Sequence, residues 1–378
     1  MNIILLTDGF MRNKKESIYL TLTSLSKELI NQGHQVVIIA NGNNDLPRIN
    51  IEERVTIVRP PKIFSFCRIM RIIIIGPFIR VLQKKQKRKY QIINNFSSAP
   101  ILVLRAVFAK LFLPNIKIIQ SIKSYSKMNL GNHFFHLLNF ANLVTIPTKV
   151  FAKKLVRKGV KEEKIEVMRS TINTNKFYPK NGDKLKQEYG YNNKNVIFYY
   201  GALWKEKGVK YLVEAIPEIK KVEPQTMFIF APRERKEFLY QHKKLLNKIK
   251  KIPDTTILIN KIKIEDYVNM AQILVLPYAS IIGTEGNPSC LLEAMACKTA
   301  VVTSNLPELK EIVQHEQDVL LAEPENPASI AKNVIRLLND KQLQERLTEN
   351  AYKKSKQFDV RIIAQQYLKL YQNVLNKK

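Results

Sequence analysis

Two carboxylates stand eight residues apart in the stretch TEGNPSCLLEAMACKTAVVTS, with Glu285 before an Asn-Pro-Ser step and Glu293 after it. Asn287 is a good N-cap residue and Pro288 suits the first helical position, so the sequence predicts a helix that starts at Pro288. Glu285 then lies in the loop ahead of the helix. Glu293 lies inside the helix, among apolar neighbours.

A carboxylate on an apolar helix is costly to bury unless it accepts hydrogen bonds, for example from a pair of hydroxyl groups. The N–H groups at the start of the helix add a site for an anion. The residues around that site are Gly286, Asn287, Pro288 and Ser289. A ligand with a diol, a phosphate and a second polyhydroxyl group is a nucleotide sugar. The alternative is that Glu285 caps the loop and Glu293 pairs with a lysine or arginine of the core.

Length and composition predict an ordered protein of two domains, because 378 residues with 45% hydrophobic residues exceed one core of usual size. The cysteines Cys67, Cys290 and Cys297 suit neither a disulfide framework nor a zinc site, so we interpret them as core thiols in a reducing compartment. The first residues, MNIILLTDGF, are typical of a first strand rather than of a secretion signal. The longest apolar run, residues 72–79, is far shorter than the roughly 20 residues that span a bilayer.

Apolar strands alternate with helical patterns along both halves of the chain, beginning with NIILLTDG, SIYLTLTSLSKELINQG and HQVVIIANG. This alternation predicts two doubly wound α/β domains, each with a parallel sheet covered by helices, facing across a cleft. Turn-forming residues between 167 and 183 mark the linker. We place the first domain at residues 1–173, completed by a C-terminal helix at 358–378, and the second at 174–357. Ligands of such sheets bind at the carboxyl ends of the strands.

The segment EGNPSCLLEAMACKTAVV resembles the E-x7-E signature of glycosyltransferase family 4, the retaining enzymes of GT-B fold. Other segments match in order, among them NQGHQVVIIANG, YYGALWKEKGVKYLVEAIPEI and FDVRIIAQQYLKLYQNVL, so the resemblance covers nearly the whole chain. It implies that Glu285 contacts the transferred sugar and that Glu293 binds the ribose hydroxyls. It also implies a UDP- or GDP-linked sugar as donor substrate, bound by the second domain, with no further cofactor.

The segment GALWKEKG, from Gly201 to Gly208, resembles the family's G-R-L-x-x-E-K-G segment, whose arginine and lysine hold the donor diphosphate. Lys207 fits this role, since a cation balances the charge that develops on a leaving diphosphate. The arginine position is Ala202 here. Stabilisation of the leaving group is therefore expected to rest on Lys207, the helix start at Pro288 and another basic residue.

The first domain departs from the family pattern in two places. The glycine pair that usually follows the first strand is replaced around residues 13–15 by Asn-Lys-Lys, and the family's T-I-H appears as Ser121-Ile122-Lys123. Lys123 can donate a hydrogen bond to a sugar hydroxyl or a phosphate, but it cannot accept a proton as an imidazole would. These departures leave a catalytically inactive GT-B binding protein as an alternative.

No metal is expected, because the sequence contains no D-x-D and its five histidines do not cluster. In the front-face route to retention, a donor phosphate oxygen takes the acceptor proton, so no protein base is required. The absence of D-x-D therefore predicts a sugar transfer without a metal ion, and the resemblance to glycosyltransferase family 4 implies that the transfer is retaining.

The net charge of +30 is concentrated between Glu53 and Glu162, where 22 lysines and arginines occur without one aspartate or glutamate. Such a surface attracts a polyanion, whether an anionic membrane, a nucleic acid or a phosphorylated acceptor. A generally basic proteome is the alternative explanation.

Residues 59–89 combine aromatic and aliphatic side chains with ten basic residues, which suits a segment lying in a membrane interface. The dense cationic end consists of Lys84, Lys85, Lys87, Arg88 and Lys89. The alternative is a core helix with a solvated basic end. Nucleic acid ranks lower, because the basic residues alternate with aliphatics more than with aromatics. The sequence thus predicts a lipid-linked glycan or glycolipid acceptor, met by a peripherally bound protein at the cytoplasmic membrane face.

Overall fold

The computed structural model describes residues 1–7, 9, 17–41, 46–61, 72–97, 99–124, 132–232, 242–259, 262–282 and 286–377. The chain divides into two compact units, Met1–Thr171 with Val360–Lys378, and Ile172–Asp359. The sequence-based boundaries were placed after residue 173 and before residue 358.

The first unit is built on an eight-stranded sheet of order β3-β4-β2-β1-β5-β6-β7-β8. Its strands are β1 (Asn2–Thr7), β2 (Gln35–Ile39), β3 (Ile49–Glu52), β4 (Val55–Val58), β5 (Ile92–Phe96), β6 (Lys117–Ser121), β7 (Leu143–Ile146) and β8 (Ile165–Val167). All neighbours are parallel except β3 and β4, which form an antiparallel hairpin. The hairpin was not predicted, because Glu53 and Arg54 adopt positive φ in its turn without the Asn-Gly or Gly-Gly signal of such turns.

Helices of the first unit include α1 (Ser17–Asn31), α2 (Ile75–Gln86), α3 (Val103–Phe108) and α4 (Lys149–Val156). The apolar face of α2, with Ile75, Ile79 and Leu82, is buried in the core of the unit. Over these residues the chain is therefore a core helix with an exposed basic end, which corrects the membrane-interface interpretation. The physical reason is that this face of α2 packs in the same apolar cluster as side chains of the first sheet, so each covers the other from water. The aromatic start of the segment, residues 62–71, lies outside the described residues.

The second unit contains a six-stranded parallel sheet of order β11-β10-β9-β12-β13-β14. Its strands are β9 (Asn195–Gly201), β10 (Thr226–Pro232), β11 (Thr255–Ile257), β12 (Ile273–Leu276), β13 (Ala300–Ser304) and β14 (Leu320–Ala322). The helices are α5 (Asp183–Glu188), α6 (Val209–Val222), α7 (Lys243–Lys250), α8 (Ile264–Met270), α9 (Ser289–Ala296), α10 (Pro307–Lys310), α11 (Pro327–Asn339) and α12 (Lys341–Ser355). Apolar clusters lie on both sheet faces.

The last helix, α13 (Val360–Asn376), belongs to the first unit, although the second unit precedes it in sequence. Its buried residues Ile363, Tyr367 and Tyr371 share one apolar cluster with Leu22 and Leu25 of α1. The chain thus returns to complete its first core. Among the described helices, none is long and apolar enough to cross a membrane.

Candidate functional site

The candidate site lies where the strand order of the second sheet reverses. From β9 the chain builds β10 and β11 on one side and then crosses to β12 on the other. The chain therefore leaves β9 and β12 toward opposite sides of the sheet, and doubly wound sheets bind ligands at the carboxyl edge where this reversal occurs. Strand β9 ends at Gly201 and the loop after it carries Lys207, while the loop after β12 leads to α9.

Gly208 holds the loop after β9 against the loop after β12. Its φ is +66°, and a Cβ at this position would lie 1.7 Å from the carbonyl oxygen of Pro277. The N–H groups of Ala279 and Ser280 donate to the Glu206 carbonyl at 3.0 and 3.3 Å. Only glycine allows so close an approach of two backbones. This contact fixes the position of the preceding residue, Lys207.

Lys207 lies over an aromatic ring of the second loop. Its ammonium is 4.9 Å from the ring centroid of Tyr278, which is buried. The Tyr278 hydroxyl is in turn 3.1 Å from the Cys290 sulfur, in the first turn of α9. The half-buried lysine is thereby joined through Tyr278 to the start of the helix that carries the candidate anion site.

Helix α9 begins at Ser289, one residue later than predicted. Pro288 occupies the N-cap position with extended backbone, at φ −65° and ψ 129°, and no side chain caps the helix there. Asn287 is therefore not the N-cap, which corrects the prediction. The reason is that Pro288 keeps this extended conformation, so its carbonyl accepts the first helical bond, from Leu291 N–H at 3.1 Å. A proline offers no side-chain oxygen to the N–H groups of the first turn.

Asn287 is fully buried, and neither Oδ1 nor Nδ2 of its amide has a hydrogen-bond partner among the residues that the structure describes. Buried amide groups are nearly always satisfied, because an unmade hydrogen bond costs the full desolvation of the group. Its place immediately before Pro288 puts this amide at the start of α9. The arrangement suits a ligand that can both donate and accept hydrogen bonds.

Glu293 accepts a hydrogen bond from the hydroxyl of Tyr200, the residue before Gly201 at the end of β9. Burial, and after it the Glu293 carboxylate, raises the pKa of Tyr200 well above its usual range, so the phenol stays protonated as a donor. A carboxylate has about four acceptor positions, so it can accept from more than one donor at a time. The sequence analysis does not identify Tyr200 or Tyr278 as site residues. For Tyr200, a signal was present in the pair of tyrosines directly before Gly201.

Gly201 and Ala202 complete the first loop. Gly201 has a φ of +141°, a conformation that residues with a side chain rarely adopt. A Cβ at this position would lie 3.3 Å from the Tyr199 hydroxyl. Ala202 is buried, and its carbonyl accepts from the Tyr199 hydroxyl at 2.5 Å. At the position of the family's arginine, the chain thus has a buried methyl group.

The structure brings Gly201, Lys207 and Glu293 to one edge of the second sheet, together with Asn287, Pro288 and Ser289. Gly286 is buried beside them. The prediction for Glu285 concerns a residue outside the described part of the chain. In the part of the second unit that is described, the candidate site therefore consists of the loop after β9 and residues 286–293.

Lys123 belongs to the first unit, just beyond the end of β6. Its ammonium lies 6.0 Å from the ring centroid of Phe96 and 5.7 Å from that of Tyr367 in α13. The two rings hold a half-buried cation at the carboxyl edge of the first sheet. Within the described residues of either unit, no three His, Cys, Asp or Glu side chains come together as a possible metal site.

The predicted cationic end of α2 is solvent-exposed. Lys87 is the C-cap in a left-handed conformation, with φ 51°, and its N–H reaches the Gln83 carbonyl. The exposed cations are Lys84, Lys85, Lys87, Arg88 and Lys89. This end of the helix leads directly into the start of β5.

Two family models match the chain, one for each unit. Residues 20–176 match the model described as Glycosyltransferase Family 4, and residues 182–354 match Glycosyl transferases group 1. The two matches leave only short segments of the chain uncovered.

Similar proteins of known activity or structure extend these matches. The chain is 31% identical over 224 residues to N,N'-diacetylbacillosaminyl-diphospho-undecaprenol alpha-1,3-N-acetylgalactosaminyltransferase of Campylobacter jejuni, a match that spans 57% of this chain and 56% of that enzyme. A glycosyltransferase from Rickettsia africae superimposes with TM-score 0.81 at 18% identity, over 100% of this chain and 99% of that one. Anabaena Alr3699/HepE, solved with UDP and glucose, gives 0.78 at 17% identity over 99% and 100%. The Rickettsia and Anabaena proteins have low sequence identity to this chain, so their similarity shows a shared fold and nothing more.

Proposed function

The chain belongs to glycosyltransferase family 4, and we propose from this premise that it transfers a sugar from a nucleoside diphosphate sugar to an acceptor. The donor is UDP- or GDP-linked. Each family model matches one of two Rossmann-like units, and whole-chain similarity to GT-B glycosyltransferases supports the same architecture. The donor is assigned to the second unit and the acceptor to the first.

The observation that carries the donor assignment is the buried amide of Asn287, which lacks a partner among the described residues at the start of α9. Sugar hydroxyls and phosphate oxygens together supply the donors and acceptors that such an amide needs, whereas an apolar ligand supplies neither. The N–H groups of the first turn of α9 add an attraction for phosphate.

The remaining roles follow from position and charge. Glu293 accepts from the ribose hydroxyls in addition to Tyr200, and Lys207 stabilises the diphosphate as it leaves. Gly201, Gly286 and Ser289 line the donor. By the family resemblance, Glu285 contacts the transferred sugar.

We propose that transfer retains the anomeric configuration and requires no metal ion. The bond from the anomeric carbon to the donor phosphate oxygen breaks, and the acceptor oxygen bonds on the same face. The acceptor proton passes to the departing phosphate oxygen, so no protein base is needed. Lys123 donates a hydrogen bond to an acceptor hydroxyl or phosphate.

For the acceptor we propose a lipid-linked glycan or glycolipid at the cytoplasmic face of the membrane, where the protein binds peripherally. Two observations support this choice. The Campylobacter relative is named for a diphospho-undecaprenol acceptor. The first unit carries 22 lysines and arginines between Glu53 and Glu162 without an acidic residue.

The test is a panel of nucleotide sugars, scored first by thermal shift and then by release of nucleoside diphosphate with a lipid-linked acceptor. A ligand that binds only the folded state must raise its melting temperature. Asn287→Ala should abolish the shift without lowering the melting temperature of the free protein, because the amide has no described protein partner to lose.

Asn333→Ala is the matched control. Asn333 is also buried, but its Nδ2 donates to the Leu321 carbonyl at 3.1 Å, so its loss should lower stability and leave the ligand shift intact. If no nucleotide sugar raises the melting temperature, the proposed function fails. A shift without turnover would indicate an inactive binding protein instead.

A further inference from the structure

Several loops of the first unit meet at the amino-terminal edge of its sheet, opposite the edge that carries Lys123. They precede β6, β7 and β8, and they present both cations and apolar side chains. We name this set the amino-edge surface. It consists of Lys110, Leu111, Lys117, Phe140, Lys161 and Lys164.

Hydrogen bonds hold the loops of this surface together. Lys164 Nζ donates to the two carbonyl groups that flank Phe140, the one on its C-terminal side at 3.0 Å. Asn142 and Ile118 exchange two bonds of 2.8 Å, which places the loop after Phe140 beside Lys117. Residues separated in sequence by more than forty positions therefore form one surface.

The cations of the surface lie close enough to repel one another. Burial and then the charge of Lys117 lower the pKa of Lys110. The pKa of Lys164 is also lowered, by burial first and then by Lys161 and Lys110, with Glu163 opposing the effect. The exposed Glu162 and Glu163 lie between Lys161 and Lys164 and offset part of this charge, and the positive charge that remains attracts an anionic partner.

Two large apolar side chains stand exposed among these cations. Leu111 is 74% exposed and Phe140 is 57% exposed. Scattered apolar residues on a surface need no explanation, but here Leu111 directly follows Lys110, and Phe140 lies between the two carbonyl groups that bind Lys164. Apolar and cationic side chains thus occur together, as in interfacial membrane binding.

The surface continues toward the basic end of α2. Lys117 N–H donates to the Gln91 carbonyl at 2.9 Å, two residues after Lys89. Lys117 Nζ also donates to the Lys377 carbonyl at 2.7 Å, so the end of α13 brings a further lysine to this edge.

We propose that the amino-edge surface docks the first unit on an anionic lipid bilayer, with Leu111 and Phe140 inserted among the lipids and the lysines at the phosphates. Charge complementarity selects an anionic partner, and the exposed apolar pair selects lipid over nucleic acid, whose phosphates offer no apolar phase. The inference rests on the proposed function only for the location of the acceptor at a membrane.

The test is flotation of the full chain with vesicles of phosphatidylcholine alone or with phosphatidylglycerol. Binding should require the anionic lipid and weaken with salt, because the Debye length falls from about 10 Å at 0.1 M to about 3 Å at 1 M. Replacing Lys110, Lys117, Lys161 and Lys164 with glutamine should weaken binding by about 100-fold or more, given that each lysine near anionic lipid contributes several-fold.

A variant with the same change of net charge is the control. Lys243, Lys244, Lys250 and Lys251 are exposed lysines of the second unit, in or beside α7, and their replacement with glutamine should leave vesicle binding nearly unchanged. A second variant, Leu111→Ser with Phe140→Ser, keeps every charge and should remove the part of the binding that survives high salt.

Replacing Lys84, Lys85, Lys87, Arg88 and Lys89 with glutamine measures how far the surface extends along α2. An additional loss of binding would support the continuity through Gln91. Undiminished binding would restrict the docking site to the six named residues.

Nucleotide-sugar binding is measured on the same preparations, so the two proposals fail separately. A parent protein that binds a nucleotide sugar but ignores anionic vesicles, or prefers DNA to them, would overturn the docking inference alone. Equal loss in the control and the amino-edge variants would also overturn it, since binding would then follow net charge rather than this surface.

Discussion

Glu293 is the residue whose role can be tested most directly. Its carboxylate accepts from Tyr200 in the structure and, in our proposal, from the ribose diol as well. Glu293→Ala should weaken nucleotide binding by about 10- to 100-fold, since a hydrogen bond to a charged group contributes roughly 1.5–3 kcal/mol. Glu293→Gln keeps one acceptor oxygen and should lose less. Titration calorimetry with nucleotide and nucleotide sugar measures both.

Tyr200→Phe controls for the loss of the hydrogen bond between Tyr200 and Glu293, because it removes the tyrosine hydroxyl and keeps the glutamate carboxylate. It should change nucleotide affinity by less than about threefold. Glu285→Ala should spare free nucleotide and abolish transfer. Unchanged dissociation constants in Glu293→Ala would refute the diol assignment, and equal losses for both glutamates would refute the division of roles.

Lys207 should matter more in the transition state than in the ground state. Lys207→Ala removes a cation matched to charge that develops as the donor bond breaks, so kcat should fall by about 100-fold or more while KM changes little. Lys205→Ala is the matched control, since Lys205 is an exposed lysine of the same turn. Steady-state kinetics of both variants decide the matter. Near-normal kcat in Lys207→Ala would assign the diphosphate to another residue.

At the scale of elements, Gly208 decides whether the loops after β9 and β12 can meet. Gly208→Ala would place a methyl group 1.7 Å from the Pro277 carbonyl oxygen at φ +66°, so the two loops must separate. We expect a loss of about 3 kcal/mol or more in the free energy of unfolding, from backbone strain plus the lost packing, and loss of transfer. Urea unfolding of the variant measures the first quantity.

Gly190→Ala separates strain from steric overlap. Gly190 has nearly the same conformation, with φ +69°, but apart from its two chain neighbours no residue has a heavy atom within 4 Å of the position that a Cβ would occupy there. This control should cost only about 1 kcal/mol and leave activity intact. Similar costs for the two variants would mean that the contact with Pro277 does not organise the site.

At the scale of the whole molecule, each unit has its own apolar clusters, and the proposed donor residues belong to the second unit alone. Bound nucleotide should therefore slow amide hydrogen exchange around Gly201–Gly208 and the start of α9. At a ligand concentration 100 times Kd, the gain in stability is about 2.7 kcal/mol.

The internal control is amide hydrogen exchange in β1 and β2, which belong to the first unit. Their exchange rates should not change when nucleotide binds. Exchange measured by mass spectrometry at several nucleotide concentrations gives both sets of peptides in one experiment. Protection confined to the first unit would contradict the assignment of the donor to the second.

The α/β class, the alternation of most strands and helices, and the family could all be predicted from the sequence. These properties depend on local periodicity and on short motifs, both of which can be read directly from the order of residues. The periodicity is present because each strand or helix must bury one face. The residues around the start of the helix after Asn287 predict a site that includes Glu293, and the resemblance to glycosyltransferase family 4 adds Lys207 to the same predicted site.

Contacts between residues that are distant in sequence could not be predicted and became visible only in the folded chain. Tyr200 reaches Glu293 across 93 positions, and Gly208 meets Pro277 because β9 and β12 are neighbours in the sheet although two strands separate them in the chain. The apolar face of α2 is buried against the core, while Leu111 and Phe140 stand exposed among lysines. Local pattern shows that a face is apolar, but contacts between distant segments determine whether protein covers it, because burial depends on the packing of the whole unit.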